Sequence, residues 1–111
     1  MRQRTKEFAL RVIRMFASLP NTAVAQVLGK QALRSGTSVG ANYREASRAR
    51  SKAEFISKCG DALRELEESS YWMELLIDAG VVGSDQLSSL LKECDELTAI
   101  FVTIINRAKG K

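Results

Sequence analysis

The sequence contains no histidine, a single proline, two cysteines and few aromatic residues, and no long apolar run. Each scarcity removes a class of function. Without histidine, neither a Ser-His nor a Cys-His nucleophile can be assembled, and the Glu-x-x-His pairs of helix-bundle di-metal sites cannot form. No glycine-rich loop follows a strand to cradle a phosphate. The reading is therefore a protein that is not an enzyme, with no catalytic residue, no metal and no cofactor. The longest nearly apolar stretch, Ala99 to Ile105, is broken by Thr103 and falls far short of the roughly 20 residues a membrane-spanning helix needs. The opening Met1-Arg2-Gln3-Arg4-Thr5-Lys6-Glu7 is basic and leads into an amphipathic pattern instead of an apolar export segment. A cytoplasmic protein with reduced Cys59 and Cys94 and no membrane partner is expected.

What is present is a chain of 111 residues, 45% hydrophobic and 27% charged, enough for one compact domain over residues 1–111 with one core. Its net charge of +4 is unevenly placed. Residues 1–52 hold eleven Lys/Arg against two acids, and residues 53–111 hold six against eleven. Such asymmetry fits a basic face for an acidic partner or complementary surfaces between identical chains.

The hydrophobic periodicity predicts four helices and no strand. The first covers about 5–18, with Phe8, Ala9, Val12, Ile13, Phe16 and Leu19 recurring at three-to-four spacing until Leu19-Pro20-Asn21 ends it. Asn21 is the expected N-cap of a helix over about 22–50, whose stripe is Leu28, Ala32, Ser35, Val39, Tyr43 and Ala46. Ser51-Lys52-Ala53-Glu54 has the form of a capping box opening a helix over about 52–79. That helix carries Phe55, Cys59, Ala62, Leu66, Ser69, Met73 and Leu76 on one face and stops at Ala79-Gly80. Ser84-Asp85 is the expected cap of a helix over about 85–108, with Leu87, Leu90, Leu91, Cys94, Leu97, Phe101, Ile104 and Ile105 in register. Arg107, Lys109 and Lys111 suit its negative C-terminal end. Short connections between long helices predict an all-α, antiparallel up-down-up-down four-helix bundle.

Two mid-helix glycines, Gly36 and Gly40, each cost about 1 kcal/mol relative to alanine. With Leu33 they mark a face where another helix comes close, within the bundle or between subunits. Elsewhere on the second helix Gln31, Arg34, Ser38, Asn42 and Glu45 form a polar seam, and Lys58, Asp61, Glu65, Glu68 and Trp72 form its counterpart on the third. Antiparallel counting from a turn at Ser51 and Lys52 sets Glu45 opposite Lys58, Asn42 opposite Asp61, Ser38 opposite Glu65 and Arg34 near Glu68. Two readings are open: an interhelical network that fixes register, and a groove presenting Arg34, Asn42 and Glu45 to a ligand.

The basic residues Lys30, Arg34, Arg44 and Arg48 share an outward arc of the second helix. Arg4, Arg11 and Arg14 cluster on the first, and Arg50 and Lys52 sit at the hairpin tip. They are either a solvated face or a phosphate-contacting surface, the latter needing only cations at suitable spacing. Arg11, Arg14, Lys30, Arg44, Arg48, Arg50 and Lys52 are the candidate nucleic-acid contacts, and Arg34 can serve either this surface or the seam. Tyr71, Trp72 and Leu75 lie off the core stripe and form a candidate oligomer interface.

The stretch from Gln31 to Ala46, QALRSGTSVGANYREA, resembles the QxxRSxxSxxANxxEA pattern of the four-helix-bundle proteins named after 23S rRNA intervening sequences. A second block agrees: Ser51, Phe55, Ile56 and Lys58, then Ala62, Glu65, Glu68, Ser69, Tyr71 and Trp72, follow that family's S-x-x-x-F-I-x-K and A-x-x-E-x-x-E-S/T-x-Y-W patterns. The resemblance runs from Phe8 through the fourth helix. It implies an antiparallel four-helix bundle assembled as a homopentamer, and no catalytic activity. Related accessory proteins of diversity-generating retroelements are basic, pentameric and bind nucleic acid and a reverse transcriptase. The expected function is a non-enzymatic, ring-forming bundle that binds RNA or DNA through its basic outer surface. The alternative is a protein-interaction or scaffold module with no nucleic-acid role.

Overall fold

A computed structural model describes residues 1–110 as four helices, α1 (Arg2–Ala17), α2 (Ala23–Ser47), α3 (Lys52–Asp78) and α4 (Ser84–Ala108), with no strand among the described residues. Each helix ends where local chemistry requires it. Pro20 has no N–H to continue α1, and the Ser18 hydroxyl donates to the Met15 carbonyl at 2.7 Å. At the other end α1 starts at Arg2, three residues before the expected Thr5. The reason is that buried Thr5 donates its hydroxyl to the carbonyls of Met1 and Arg2, at 2.9 and 3.1 Å, and fixes the turn before it.

The N-cap of α2 is Thr22, not Asn21: the extended Thr22 accepts the Ala25 N–H on its hydroxyl at 3.2 Å. The helix stops at Ser47, short of Arg50, because Ala49 N–H turns back to Ala46 O in a tightened last turn. Ser51 then caps α3, accepting the Glu54 N–H at 3.1 Å, while the Glu54 carboxylate reaches past it to the Arg50 N–H at 2.7 Å. At the far end Gly80 adopts φ +74°, and Val81 N–H bonds Leu76 O at 3.0 Å, closing a Schellman turn. The cap of α4 is Gly83, one residue ahead of the expected Ser84-Asp85. Gln86 swings its amide oxygen onto the Gly83 N–H at 2.8 Å, which draws Ser84 into the helix. Lys111 lies outside the described residues.

The molecule measures 45 × 21 × 20 Å. α1 packs on α2 and α4, and α3 packs on the same two. Between them Phe8, Val12, Val39, Leu66, Met73, Leu76, Leu97 and Phe101 are withdrawn from water. Tyr43 reaches across from α2 to stand edge-on to Phe101, ring centroids 5.9 Å apart. Ile13, expected on the buried face of α1, is 43% exposed, and Met15 fills the core instead. At about 100° per residue, positions 8, 12, 15 and 19 share a line that 13 misses by one flank.

The glycines of α2 explain how near α1 comes. A Cβ on Gly36 would stand 2.8 Å from a Val12 methyl, and one on Gly40 would stand 3.2 Å from the Thr5 hydroxyl. Gly29, which the sequence reading passed over, faces Leu19 and Phe16 in the same way. The close approach is therefore intramolecular, between α1 and α2.

Candidate nucleic-acid interface

The α1–α2 approach leaves a shallow groove of about 390 Å³, floored by Ala9, Gly40 and Ala41 and flanked by Lys6 and Arg44, with Thr5 and Thr37 beside them. Of the glycines that let the helices approach, Gly40 lines this groove, and the methyl groups of Ala9 and Ala41 complete a floor of small residues. Arg48 follows Arg44 as the C-cap of α2, and Arg50 and Lys52 sit exposed at the α2–α3 turn. None of Lys6, Arg44, Arg48, Arg50 and Lys52 has a carboxylate within salt-bridge distance among the described residues. Lys6 was not among the sequence candidates. Its signal was its place next to Thr5 on the α1 flank, which becomes informative only once Thr5 is known to sit on Gly40.

The other basic candidates lie apart from this groove. Arg11 and Arg14 turn toward α4 and line a second cleft of about 520 Å³, with Met15, Val81, Gln86 and Ser89 among its walls. Arg11 donates to the Ser89 hydroxyl at 2.8 Å. Lys30 is exposed near the opposite end of α2. Arg4 is taken up by acids: its guanidinium grips Glu93 through Nε and Nη2, at 2.9 and 2.8 Å, and reaches Glu96 at 2.9 Å. The Arg4 hydrogen bonds hold the Glu93 carboxyl below its usual range, and the same bonds raise Arg4.

Arg34 points into the α2–α3 seam, 2.8 Å from Glu68 and 3.4 Å from Glu65. Lys58 lies 3.7 Å from Glu45 at the other end. The middle of the seam differs from the expected pairing. Ser38 donates to the Arg34 carbonyl of its own helix at 2.7 Å, and Asp61 accepts from Arg64, a neighbour on α3. Ser38 and Glu65, and Asn42 and Asp61, make no hydrogen bond to each other, and exposed Gln31 makes none across the seam. A short serine reaches the remaining lone pair of the carbonyl one turn back, and an i,i+3 arginine is nearer to Asp61 than the facing helix. Beneath the seam Ser69 donates to Ser35 at 3.0 Å. Glu65 Oε1 and Trp72 Nε1 are buried with no partner among the described residues.

Of the expected interface residues, Tyr71 is 54% exposed, Leu75 is half-buried and Trp72 packs partly against the core. Tyr71 and Trp72 meet edge to face at 5.2 Å. Val24 and Val27, at 55% and 63% exposure, form a further apolar patch with Ala23 and Leu28 on α2. Both thiols are buried: burial pushes Cys59 up, and burial reinforced by the charge of Asp95 pushes Cys94 up to about 12. Among the described residues no His/Cys/Asp/Glu group is arranged to hold a metal ion, and no helix is long and apolar enough to cross a membrane.

A family model described as 23S rRNA-intervening sequence protein matches residues 1–103. The structure is similar to a crystal structure of a protein of unknown function from the S23 ribosomal protein family of Bacteroides thetaiotaomicron. The TM-score is 0.88 and the sequence identity 40%, over 94% of this chain and 96% of that one. No curated protein matches the chain.

Proposed function

The chain belongs to the 23S rRNA-intervening sequence protein family, and from that premise we propose that it is a non-enzymatic cytoplasmic protein that binds RNA or DNA through its basic α1–α2 surface. The observation that carries this is the convergence of Lys6 and Arg44 over a groove floored by Ala9, Gly40 and Ala41. Small residues let a sugar-phosphate chain lie close to the helices, and unpaired cations meet its charge without reading sequence. Arg48, Arg50 and Lys52 extend the track. Arg34 is assigned to the seam, whose paired ends at Glu68 and Lys58 support a register-fixing role.

The helices are read as alternating up and down. Supporting this, contacts run in opposite sequence order along neighbours: Thr5 with Gly40 and Val12 with Gly36, Arg34 with Glu68 and Glu45 with Lys58, Arg4 with Glu96 and Arg11 with Ser89. Self-association into a ring, a pentamer by family resemblance, would bury the apolar surface of Tyr71, Trp72 and Leu75. Val24 and Val27 add to that surface. The exposed apolar patch equally supports the second reading, a module that docks a protein partner and ignores nucleic acid.

Sedimentation of the purified protein with a labelled rRNA-derived duplex, at about 50 and 200 mM salt, separates the readings. With about five phosphate contacts, affinity should fall roughly several hundredfold between those salts. Replacing Arg44, Arg48 and Arg50 together by alanine should abolish binding while leaving the oligomer intact. An oligomer indifferent to the duplex at both salts overturns the nucleic-acid reading and leaves the docking module.

A further inference from the structure

We propose that the cleft between α1 and the start of α4 is a second, separate binding site, for a phosphate monoester of mononucleotide size. Its volume of about 520 Å³ lies within the usual range for small-molecule sites, which combine apolar walls with a few convergent polar groups. Met15, Val82, Leu87 and Leu90 supply the apolar walls, and Arg11 and Arg14 stand together at one side.

Neither guanidinium is within salt-bridge distance of a carboxylate among the described residues. Glu93 feels the charge of Arg11, but its hydrogen bonds come from Arg4. Arg14, in the last turn of α1, complements the negative end of that helix. That role does not account for Arg11, which reaches across to the Ser89 hydroxyl. Accepting from Arg11 leaves the Ser89 O–H free to donate to a ligand. Gln86 spends its amide oxygen on the Gly83 N–H, which leaves its NH₂ as another donor on the cleft wall. Ser18 also lines the cleft but spends its proton on the Met15 carbonyl; the groups with protons left to give are Arg11, Arg14, Ser89 and Gln86, and they bring two positive charges.

A phosphate monoester carries about −1.5 to −2 at neutral pH, and guanidinium forks match its oxygens. A phosphodiester in the middle of a strand carries only one charge, and a carboxylate likewise. The apolar walls then take the organic group attached to the phosphate. Two sources present this chemistry, a free mononucleotide and the 5′-phosphorylated end of an RNA strand. The inference does not depend on the α1–α2 groove binding nucleic acid.

Calorimetric titration of the full chain with AMP and with adenosine tests it. AMP should bind at least tenfold more tightly than adenosine. Arg14→Ala should weaken AMP binding about tenfold or more, Arg14→Lys should lose less, and the Lys6→Ala/Arg44→Ala variant should bind AMP unchanged. Helical circular dichroism of Arg14→Ala checks that the fold is kept. Short oligoribonucleotides with and without a 5′-phosphate identify the source: a 5′-phosphate that tightens strand binding, with the gain lost in Arg14→Ala, assigns the strand end, and a 5′-phosphate without effect on strand binding assigns the free nucleotide. Equal binding of AMP and adenosine, no binding at millimolar AMP, or AMP binding lost in Lys6→Ala/Arg44→Ala but kept in Arg14→Ala each overturns the proposal. The duplex experiment above reads the other groove and stands or falls separately.

Discussion

Ser69 donates a hydrogen bond to Ser35 at 3.0 Å in the middle of the α2–α3 contact, where both side chains are withdrawn from water. Each hydroxyl is also tied to its own helix: Ser69 shares its single proton with the Glu65 carbonyl at 2.7 Å, and Ser35 donates to the Gln31 carbonyl at 3.0 Å. A buried polar pair satisfied in this way fixes the level at which the two helices meet.

Because the backbone carbonyls remain as partners, losing one hydroxyl should be mild. Ser35→Ala and Ser69→Ala should each destabilise the fold by about 0.5–1.5 kcal/mol in urea unfolding. The double variant should cost clearly less than the sum of the two, since the shared bond is lost only once. Additive losses would show that the serines act independently.

The glycines give a sharper contrast. Gly36→Ala drives a methyl into Val12, whose β-branched side chain has little freedom to move. Overpacking of this kind costs about 1–3 kcal/mol, more than the helix propensity gained. Gly60, inside α3, has nothing within 4 Å of an added Cβ, so Gly60→Ala should stabilise by about 0.5–1 kcal/mol. Thermal unfolding should move Tm down for the first and up for the second. A rise in Tm for Gly36→Ala would contradict the close packing of α1 on α2.

Much of this is legible in the sequence. The periodic apolar positions locate all four helices, and Gly36 and Gly40 mark a close approach. What the sequence could not supply was which neighbour each side chain prefers. Gly29, the seventh residue of α2, carries the same propensity cost as Gly36 and contacts α1 in the same way, so its signal was present, and only its neighbours Leu19 and Phe16 needed the fold. Ser38 and Asp61 sit on the seam but bond within their own helices, a competition between local and cross-helix partners that spacing does not decide. The basic candidates share a sign but not a surface. Arg4 faces Glu93 while Lys6 faces the α1–α2 groove, and that division depends on which helices flank α1.

Thiol chemistry tests the packing around the cysteines. Cys94 is fully buried, donates to the Leu66 carbonyl at 3.2 Å and has its pKa pushed up to about 12; burial raises Cys59 as well. A thiol attacks as the thiolate and only where reagent can reach it. Ellman's reagent at pH 8 should therefore label neither cysteine of the native protein within minutes, and both at once in denaturant. Rapid labelling of one thiol in the native state would mean that the helix pair around it opens readily.

The Arg4–Glu93 pair makes an acid-limb prediction whose sign follows from its geometry. Glu93 titrates lower in the folded chain than in the unfolded one, because Arg4 hydrogen-bonds its ionised form. Its contribution is thus complete above the ordinary glutamate pKa of about 4.3. It is lost as pH falls through the lower folded value, because the unfolded chain takes up the proton first. Arg4→Gln should lower the urea midpoint at pH 7, and the gap to the parent protein should close as the pH falls below the ordinary glutamate range and Glu93 takes up its proton in the folded chain as well. Part of the pair is open to solvent, with side-chain exposures of 39% for Arg4 and 18% for Glu93, so added salt should also narrow the gap at pH 7. A gap that persisted unchanged at low pH would show that Arg4 supports the fold by packing its stem on α4, not by its charge.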